Sequence, residues 1–522
     1  MVLKVYNTLS REKEEFKPIG GRKIGMYACG VTPYDYSHVG HARSYVVFDT
    51  IVRYLRHSGY EVRYVQNFTD VDDKIINRAR KEGDPFKATE IAARNIAAYF
   101  SDMDGLGVAR ADVYPKVSEH IPEIIALVEK LLGKGFAYEL DSESAAGAKD
   151  VYFDVSKFAG YGKLSHLARD EIRAGARVEV DARKRNPEDF ALWKSAKPDE
   201  PYWESPWGRG RPGWHIECSA MSMKYLGESL DIHGGGMDLM FPHHENEIAQ
   251  SEAATGKPFA KYWIHHGFVT IDSEKMSKSL GNFFTIRDVT KKFRPDTLRY
   301  FLLSTHYKAP IDFSEEALVN ADNSLGKLLN TLENLGEAVK AADAAPLPDA
   351  DRELVAGIAA EKQKFAAAMD DDFNTPLAIS ALMELSKKAN SYLAAGSAKR
   401  EALSAFASAI RELGGILNIF FASGGDDEAV SRLHNFVKAE GAALGITAEL
   451  DDAWAEKAKL GALDRQAYAG TLVAAVADAR KRARDRRNYK ASDAIRARVA
   501  EIGIVLEDKA DGSVRWRLAR KP

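Results

Sequence analysis

Residues 23–28 read Lys23-Ile24-Gly25-Met26-Tyr27-Ala28, a short apolar run that ends in Cys29-Gly30. A run of this length and composition is expected as a buried strand that stops at a loop. Downstream, His38-Val39-Gly40-His41 opens a stretch, 41–57, in which Val46, Val47, Ile51, Tyr54 and Leu55 recur at helical spacing. Glu61-Val-Arg-Tyr-Val-Gln-Asn-Phe-Thr69 reads as a second strand, and a polar turn then leads into Asp72-Asp73-Lys74-Ile75-Ile76. The alternation predicts a βαβ unit within an α/β fold, a Rossmann-like parallel sheet that binds ligands at the carboxyl ends of its strands. Cys29, His38 and Thr69 all fall at such ends.

Much later in the chain comes Lys275-Met276-Ser277-Lys278-Ser279, followed by Leu280-Gly281-Asn282. Alone, a Lys- and Ser-rich loop is more often solvated surface, and a His-x-x-His pair more often structural. In this order and context, the two motifs specify an ATP site that activates a carboxylate. The carboxylate attacks the α-phosphate and pyrophosphate leaves; charge builds on phosphate oxygens, so cations and donors fixed beforehand lower the barrier. Lys275 and Lys278 supply ammonium groups. His38 and His41, three apart, can face one side of a first helical turn, Gly40 leaves room for a base or ribose, and the helix N-terminus favours phosphate. These residues are the candidate catalytic and ATP-binding set, with Mg²⁺ accompanying the ATP.

The chain has two cysteines, Cys29 and Cys218. Free cysteines are usually small buried hydrophobes, yet each of these lies beside a motif. Phe241-Pro242-His243-His244-Glu245-Asn246-Glu247 reads as a helix start after Pro242, so that His243 and Glu247, four apart, point to one side. Two thiols, an imidazole and a carboxylate make a tetrahedral zinc set: Cys29, Cys218, His243 and Glu247, with His244 the competitor for the imidazole place. Zinc would serve selectivity. A methylene-scale difference in an apolar pocket is worth only about 1–3 kcal/mol, whereas a metal-bound thiolate binds far better than a hydroxyl. A substrate that presents sulfur would be favoured, and no editing domain would then be needed.

HVGH stands where class I aminoacyl-tRNA synthetases carry a HIGH signature, and KMSKS is intact. Cys29-Gly30-Val-Thr-Pro-Tyr-Asp-Tyr-Ser-His38, Gly213-Trp214-His215-Ile216-Glu217-Cys218-Ser-Ala-Met and Phe241-Pro242-His243-His244-Glu245-Asn246-Glu247-Ile-Ala-Gln resemble the cysteinyl-tRNA synthetase family, bacterial type, from about residue 20 to the C-terminus. The resemblance implies that Gly30, Thr69 and Trp214 help hold the amino acid. It implies that His233 and Asp238, in a loop Asp231-Ile-His-Gly-Gly-Gly-Met-Asp238, support the pocket and the nucleotide. It also implies tRNA(Cys) as the acceptor.

The expected organisation is a catalytic domain over 1–114 and 211–290, a connective insertion over 115–210, a helical DALR-type domain over 291–422, and a linker with a small α+β anticodon-side domain over 423–522. In the insertion, a helix from Ser118 to Leu132 should precede a hairpin through Ala137–Leu140 and Val151–Asp154. Arg294-Pro295-Asp296-Thr297-Leu298-Arg299 resembles the DALR pattern, with Thr in place of Ala. Helices are expected near 314–340, 351–368 and 375–397, with alanine-rich 391–411 also helical and 423–428 a linker.

At 522 residues and a net charge of −3, composition by itself does not announce an RNA binder. From Thr471 onward, however, fourteen Lys and Arg face seven Asp and Glu. The run Arg480-Lys481-Arg482-Ala-Arg484-Asp-Arg486-Arg487, next to Tyr489, is expected to meet tRNA phosphates. Two cysteines give no disulfide framework, and no apolar run suits a signal peptide or a membrane span, so a cytoplasmic protein is expected; a monomer is expected as well. Two other readings are open: a ligase joining activated cysteine to an amino sugar, which would not need the basic tail, and a noncatalytic tRNA-binding paralogue, which would tolerate damaged motifs.

Overall fold

The computed structural model describes residues 2–143, 145–167, 183–271, 274–275, 283–342, 346–395, 398–421, 433–434, 436–438, 440–441, 444, 446, 462–501, 504–508 and 514–518. Lys278, with 276–282, and the expected linker 423–428 lie outside them. The chain divides into two units, Met1–Arg287 with Thr297–Asn418, and Asp288–Asp296 with Ile419–Pro522.

The first unit opens with a hairpin, β1 (Lys4–Asn7) and β2 (Glu12–Glu15), and continues as β3 (Lys23–Val31), α1 (Val39–His57), β4 (Glu61–Phe68), α2 (Asp73–Lys81) and α3 (Ala88–Gly105). The expected βαβ unit is present: β3 and β4 pair in parallel with α1 between them. Ile24, Met26, Tyr27 and Ala28 are buried, as expected for a strand covered on both faces. Gly30 falls at a register shift between the two strands, and a Cβ there would lie 1.5 Å from the Asn67 carbonyl oxygen, so only glycine allows this approach.

The insertion folds as α4 (Ile121–Gly133) beside an antiparallel sheet in the order β5 (Ala137–Asp141), β6 (Lys149–Phe153), β7 (Phe190–Ser195), β8 (Gly210–Pro212). The expected helix from Ser118 begins later because Val117–Glu119 forms a separate 3-10 turn and Pro122 occupies the first turn of α4, where its missing N–H costs nothing. The chain returns through α5 (Trp214–Leu226), β9 (Leu230–Gly236), α6 (Glu245–Thr255) and β10 (Ala260–His266) to complete a parallel sheet in the order β10-β9-β3-β4.

The glycine-rich segment is thereby corrected. Asp231 to Gly236 is buried strand, not loop. Glycine is a poor strand former, but here the backbone runs against large neighbours. A Cβ at Gly234 would sit 2.5 Å from a Phe48 ring carbon, and one at Gly235 would sit 2.8 Å from the His244 ring.

Beyond β11 (Val269–Ile271) and β12 (Glu274–Lys275), α7 (Pro295–Leu303) and β13 (Ile311–Asp312) lead to four helices: α8 (Glu315–Ala341), α9 (Asp349–Asp370), α10 (Thr375–Ala394) and α11 (Arg400–Leu417). Helix α1 is held by two buried guanidinium groups. Arg43 donates to the carbonyls of Gly267, Leu302, His306, Tyr307 and Ala309. Arg299 pairs with Asp49 and donates to the Leu417 carbonyl at 2.8 Å. Breaking such a buried pair typically costs about 3–5 kcal/mol.

The second unit holds α12 (Ala462–Asp485), α13 (Tyr489–Glu501) and an antiparallel hairpin, β14 (Ile504–Asp508) and β15 (Val514–Leu518). Leu433, Phe436, Leu472, Val476, Ile495 and Val499 share its core. The basic run falls on the end of α12 and the turn that follows it. Arg480 is an exception to the expected solvent-facing charge: it is 1% exposed, packed into the core, whereas Lys481, Arg484, Arg486 and Arg487 are exposed.

Candidate metal centre and nucleotide edge

The carboxyl edge of the sheet carries two groups of side chains. At the start of α1, His38 is the N-cap, in extended backbone. Its Nδ1 accepts from the His41 N–H at 3.3 Å, and the His41 Nδ1 accepts from the His38 N–H at 3.3 Å. The imidazoles thus form a reciprocal capping box in which a His replaces the usual acidic partner. Their rings stack with centroids 3.6 Å apart, on one side of the turn as the spacing implies. Gly40 lies between them in the same turn. Val39 donates to the Phe284 carbonyl, Ile286 donates to the Ser37 carbonyl, and the Phe283 ring meets His38 at 5.1 Å. The segment directly after the KMSKS motif is therefore laced to the HVGH turn. Lys275, the first residue of the motif, ends β12, which pairs with β11.

The second group is buried. Cys29 comes from β3, Cys218 from α5, His243 from the turn before α6, and Glu247 from α6 itself. One donor atom from each lies within 4.8 Å of the others. The thiols are 3.9 Å apart, Cys29 Sγ is 3.6 Å from Glu247 Oε1, and His243 Nε2 is 3.1 Å from the same oxygen. Zinc bonds of about 2.3 Å to sulfur and about 2.1 Å to nitrogen or oxygen, opened at the tetrahedral angle, would place sulfur pairs about 3.8 Å apart, sulfur and oxygen about 3.6 Å, and nitrogen and oxygen about 3.4 Å. The donor set fits zinc in both type and spacing.

A second combination of Cys29, His233, His244 and Glu247 is similarly close. It offers one thiol instead of two. The Nε2 of His244 lies 3.3 Å from Cys29 Sγ and 3.9 Å from Glu247 Oε1, and its Nδ1 is engaged by His265 Nε2 at 2.7 Å.

Charge in the first set is already divided. A hydrogen bond from Cys29 lowers the Cys218 thiol to about 6 against the cost of burial. Burial pushes the Cys29 thiol well up. Burial disfavours charge on His243, but Glu247 and Cys218 beside it raise it to about 10. Burial likewise opposes ionisation of Glu247, yet His233 and His243 hold it at about 2.

Trp214 stacks on His243 at 4.3 Å and is 39% exposed, so it forms the outer wall. Thr69 is buried, accepting from Asn67 Nδ2 at 3.3 Å, while the Asn67 side chain also receives the Gly30 N–H at 2.8 Å. His233 is fully buried behind the centre, with Nε2 2.7 Å from Glu247 Oε2. It orients a carboxylate whose other oxygen faces the thiols, a supporting role common around metals. Asp238 is exposed, its carboxylate beside Gly236 and acting electrostatically on His266.

Sequence reasoning missed four supporting groups. His215 meets His243 Nδ1 at 2.9 Å, and His265 links His244 to Thr8 through 2.7 Å and 2.9 Å contacts. His266 bonds Ser44 on α1 at 2.5 Å, and Tyr27 lies against the thiols. The adjacent pair His265-His266 at a strand end was the available signal for two of them.

The family model described as the tRNA synthetases class I (C) catalytic domain matches residues 15–323, and the DALR domain model matches 364–422. Among curated proteins, the chain is 50% identical to the cysteine-tRNA ligase of Geobacter sulfurreducens over 518 residues, covering 99% of this chain and 100% of that one. It is 47% identical to that of Thermodesulfovibrio yellowstonii over 522 residues, covering 99% of both. Among solved structures, Mycobacterium tuberculosis methionyl-tRNA synthetase in complex with methionyl-adenylate is similar in fold, with a TM-score of 0.55 and 18% identity over 76% of this chain and 90% of that one. With its class I catalytic domain and full-length relatives of this kind, the chain belongs to the cysteine-tRNA ligase family of class I tRNA synthetases.

Proposed function

We propose that the protein activates L-cysteine with ATP to cysteinyl adenylate and transfers the cysteinyl group to the 3′ end of tRNA(Cys), selecting the amino acid through zinc at Cys29, Cys218, His243 and Glu247. The carrying observation is the spacing of those four donors, drawn from three separate stretches of chain into one buried cluster. His243 is preferred over His244 because it stands in the set with both thiols. Zinc held there supplies a thiophilic Lewis acid, which separates a thiol from the hydroxyl of serine more sharply than size does.

The residues divide the remaining tasks. Trp214 closes the outer side of the pocket, and Gly30 and Thr69 border the place for the amino acid backbone. The substrate carboxylate attacks the α-phosphate, and pyrophosphate leaves with Mg²⁺ shielding its charge. His38 and His41, on the positive end of α1, together with Lys275 and Lys278, stabilise the charge that develops on phosphate oxygens. The terminal ribose hydroxyl of tRNA then attacks the adenylate carbonyl and AMP leaves. No side-chain nucleophile is needed. The exposed cations of α12 are assigned to tRNA phosphates, with 115–210 as the connective insertion, 291–422 as the helical tRNA-binding domain and 423–522 as the anticodon-side domain.

No helix among the described residues is long and apolar enough to cross a membrane. A cytoplasmic monomer remains part of this proposal. The test is cysteine-dependent ATP–pyrophosphate exchange followed by charging of purified tRNA. Both are expected. Exchange without charging would favour transfer to a small acceptor, and tRNA binding without exchange would mark a noncatalytic paralogue.

A further inference from the structure

Tyr27 is fully buried on β3, two positions before Cys29, and its register partner on β9 is His233. The two rings meet edge to face at 5.3 Å. Tyr27 shares a buried cluster with Cys29 and Cys218, and its phenol interacts with both thiols and with Glu247. Among the described residues it makes no hydrogen bond of normal geometry, although the Cys218 sulfur is near enough to act on it as an acceptor. A buried hydroxyl left in this state forfeits about 1–3 kcal/mol, and native interiors seldom keep one without a reason. The groups around this hydroxyl are three of the four donors of the metal centre, and a thiol becomes a far stronger acceptor once it ionises to hold a metal.

We propose that Tyr27 is a positioning residue of the metal centre, donating a hydrogen bond to the Cys218 thiolate when zinc is held and thereby allowing the centre to accept the sulfur of cysteine. The inference rests on the zinc reading above and adds a requirement to it. Two thiolates and one carboxylate already outweigh a dication, and the substrate adds a further anion in a buried site. A donor aimed at a ligand atom draws off part of that charge, as second-sphere donors do. Glu247 has such a donor in His233 at 2.7 Å. Tyr27 gives Cys218 the equivalent, and a phenol with ordinary acidity still carries its proton at neutral pH.

The test uses the full chain, wild type and Tyr27→Phe, stripped of metal and reloaded with Co²⁺ alone or Zn²⁺ alone. In the cobalt protein, loss of the donor raises the energy of the sulfur electrons. The thiolate-to-cobalt charge-transfer bands of Tyr27→Phe should therefore lie at longer wavelength than those of the wild type. In the zinc protein, KM for cysteine in pyrophosphate exchange should rise about three- to tenfold, with KM for ATP unchanged. The metal-free variant should melt no lower than the metal-free wild type, because an orphaned hydroxyl has been removed, whereas its gain in Tm on adding zinc should be smaller. Identical bands and identical cysteine KM would overturn the inference. So would an equal loss of Tm with and without metal, which would make the hydroxyl a packing group. A wild-type cobalt protein without thiolate bands would overturn the metal reading, and this inference with it.

Discussion

The two ends of the active edge are built in opposite ways. The proposed metal centre takes its four residues from three separated stretches of chain, and its members range from 0% to 8% exposed. The HVGH turn takes two residues from one helical turn, and both imidazoles are only half-buried. A centre that must tell sulfur from oxygen needs donors that are dry and fixed, and long-range packing provides that. A triphosphate enters hydrated and leaves as pyrophosphate, so its site needs a local, solvent-facing backbone with donors that close on it. Selectivity is thus assigned to tertiary structure and turnover to local structure.

Substituting Cys218→Ser tests the first half of this contrast and should have the largest effect. Zinc should be lost, and activation of cysteine should fall by more than the ~10–100-fold typical of losing a group that hydrogen-bonds a metal ligand, while ATP binding survives. Discrimination against serine should fall with it. Metal analysis and exchange kinetics with both amino acids check this, and full metal content in the variant would remove Cys218 from the ligand set.

Lys278→Ala tests the other half. If the lysine acts on charge that develops in the transition state, adenylate formation should slow on the order of a hundredfold, with little change in cysteine affinity. Single-turnover kinetics separates the two. Equal losses in rate and affinity would put Lys278 in ground-state binding and blur the contrast between the regions.

What could be read in advance follows the same division. The βαβ unit was legible because Val46, Val47, Ile51, Tyr54 and Leu55 keep a helical period. The proposed ligands were legible because His243 and Glu247 share a helical face and each cysteine borders a motif. The supporting groups were hidden because they depend on register between distant strands: Tyr27 meets His233 only once β3 pairs with β9. Strand β9 itself was misread as a loop because three glycines look like a turn until Phe48 and His244 are packed against them. Burial of Arg43, Arg299 and Arg480 could not be anticipated either, since charge in a sequence reads as surface.

His266 joins the two regions. It follows His265, which reaches the metal side through His244, and it contacts Ser44 on α1. Its Nδ1 lies 3.0 Å from the Gly267 carbonyl, so that nitrogen carries the proton and Nε2 accepts from the Ser44 hydroxyl. Burial, with the positive charge of Arg43, holds it down to about 4. The unfolded chain takes up a proton near pH 6.5 that the folded chain refuses, so stability is full above that pH and declines as the pH falls toward 4. By pH 5 the loss from this one residue should reach about 2 kcal/mol. Urea unfolding of metal-free protein between pH 7 and pH 5 measures it, and His266→Gln should remove that share of the pH dependence. An unchanged slope in the variant would mean that His266 does not couple α1 to the buried histidines, and that the two regions answer to pH independently.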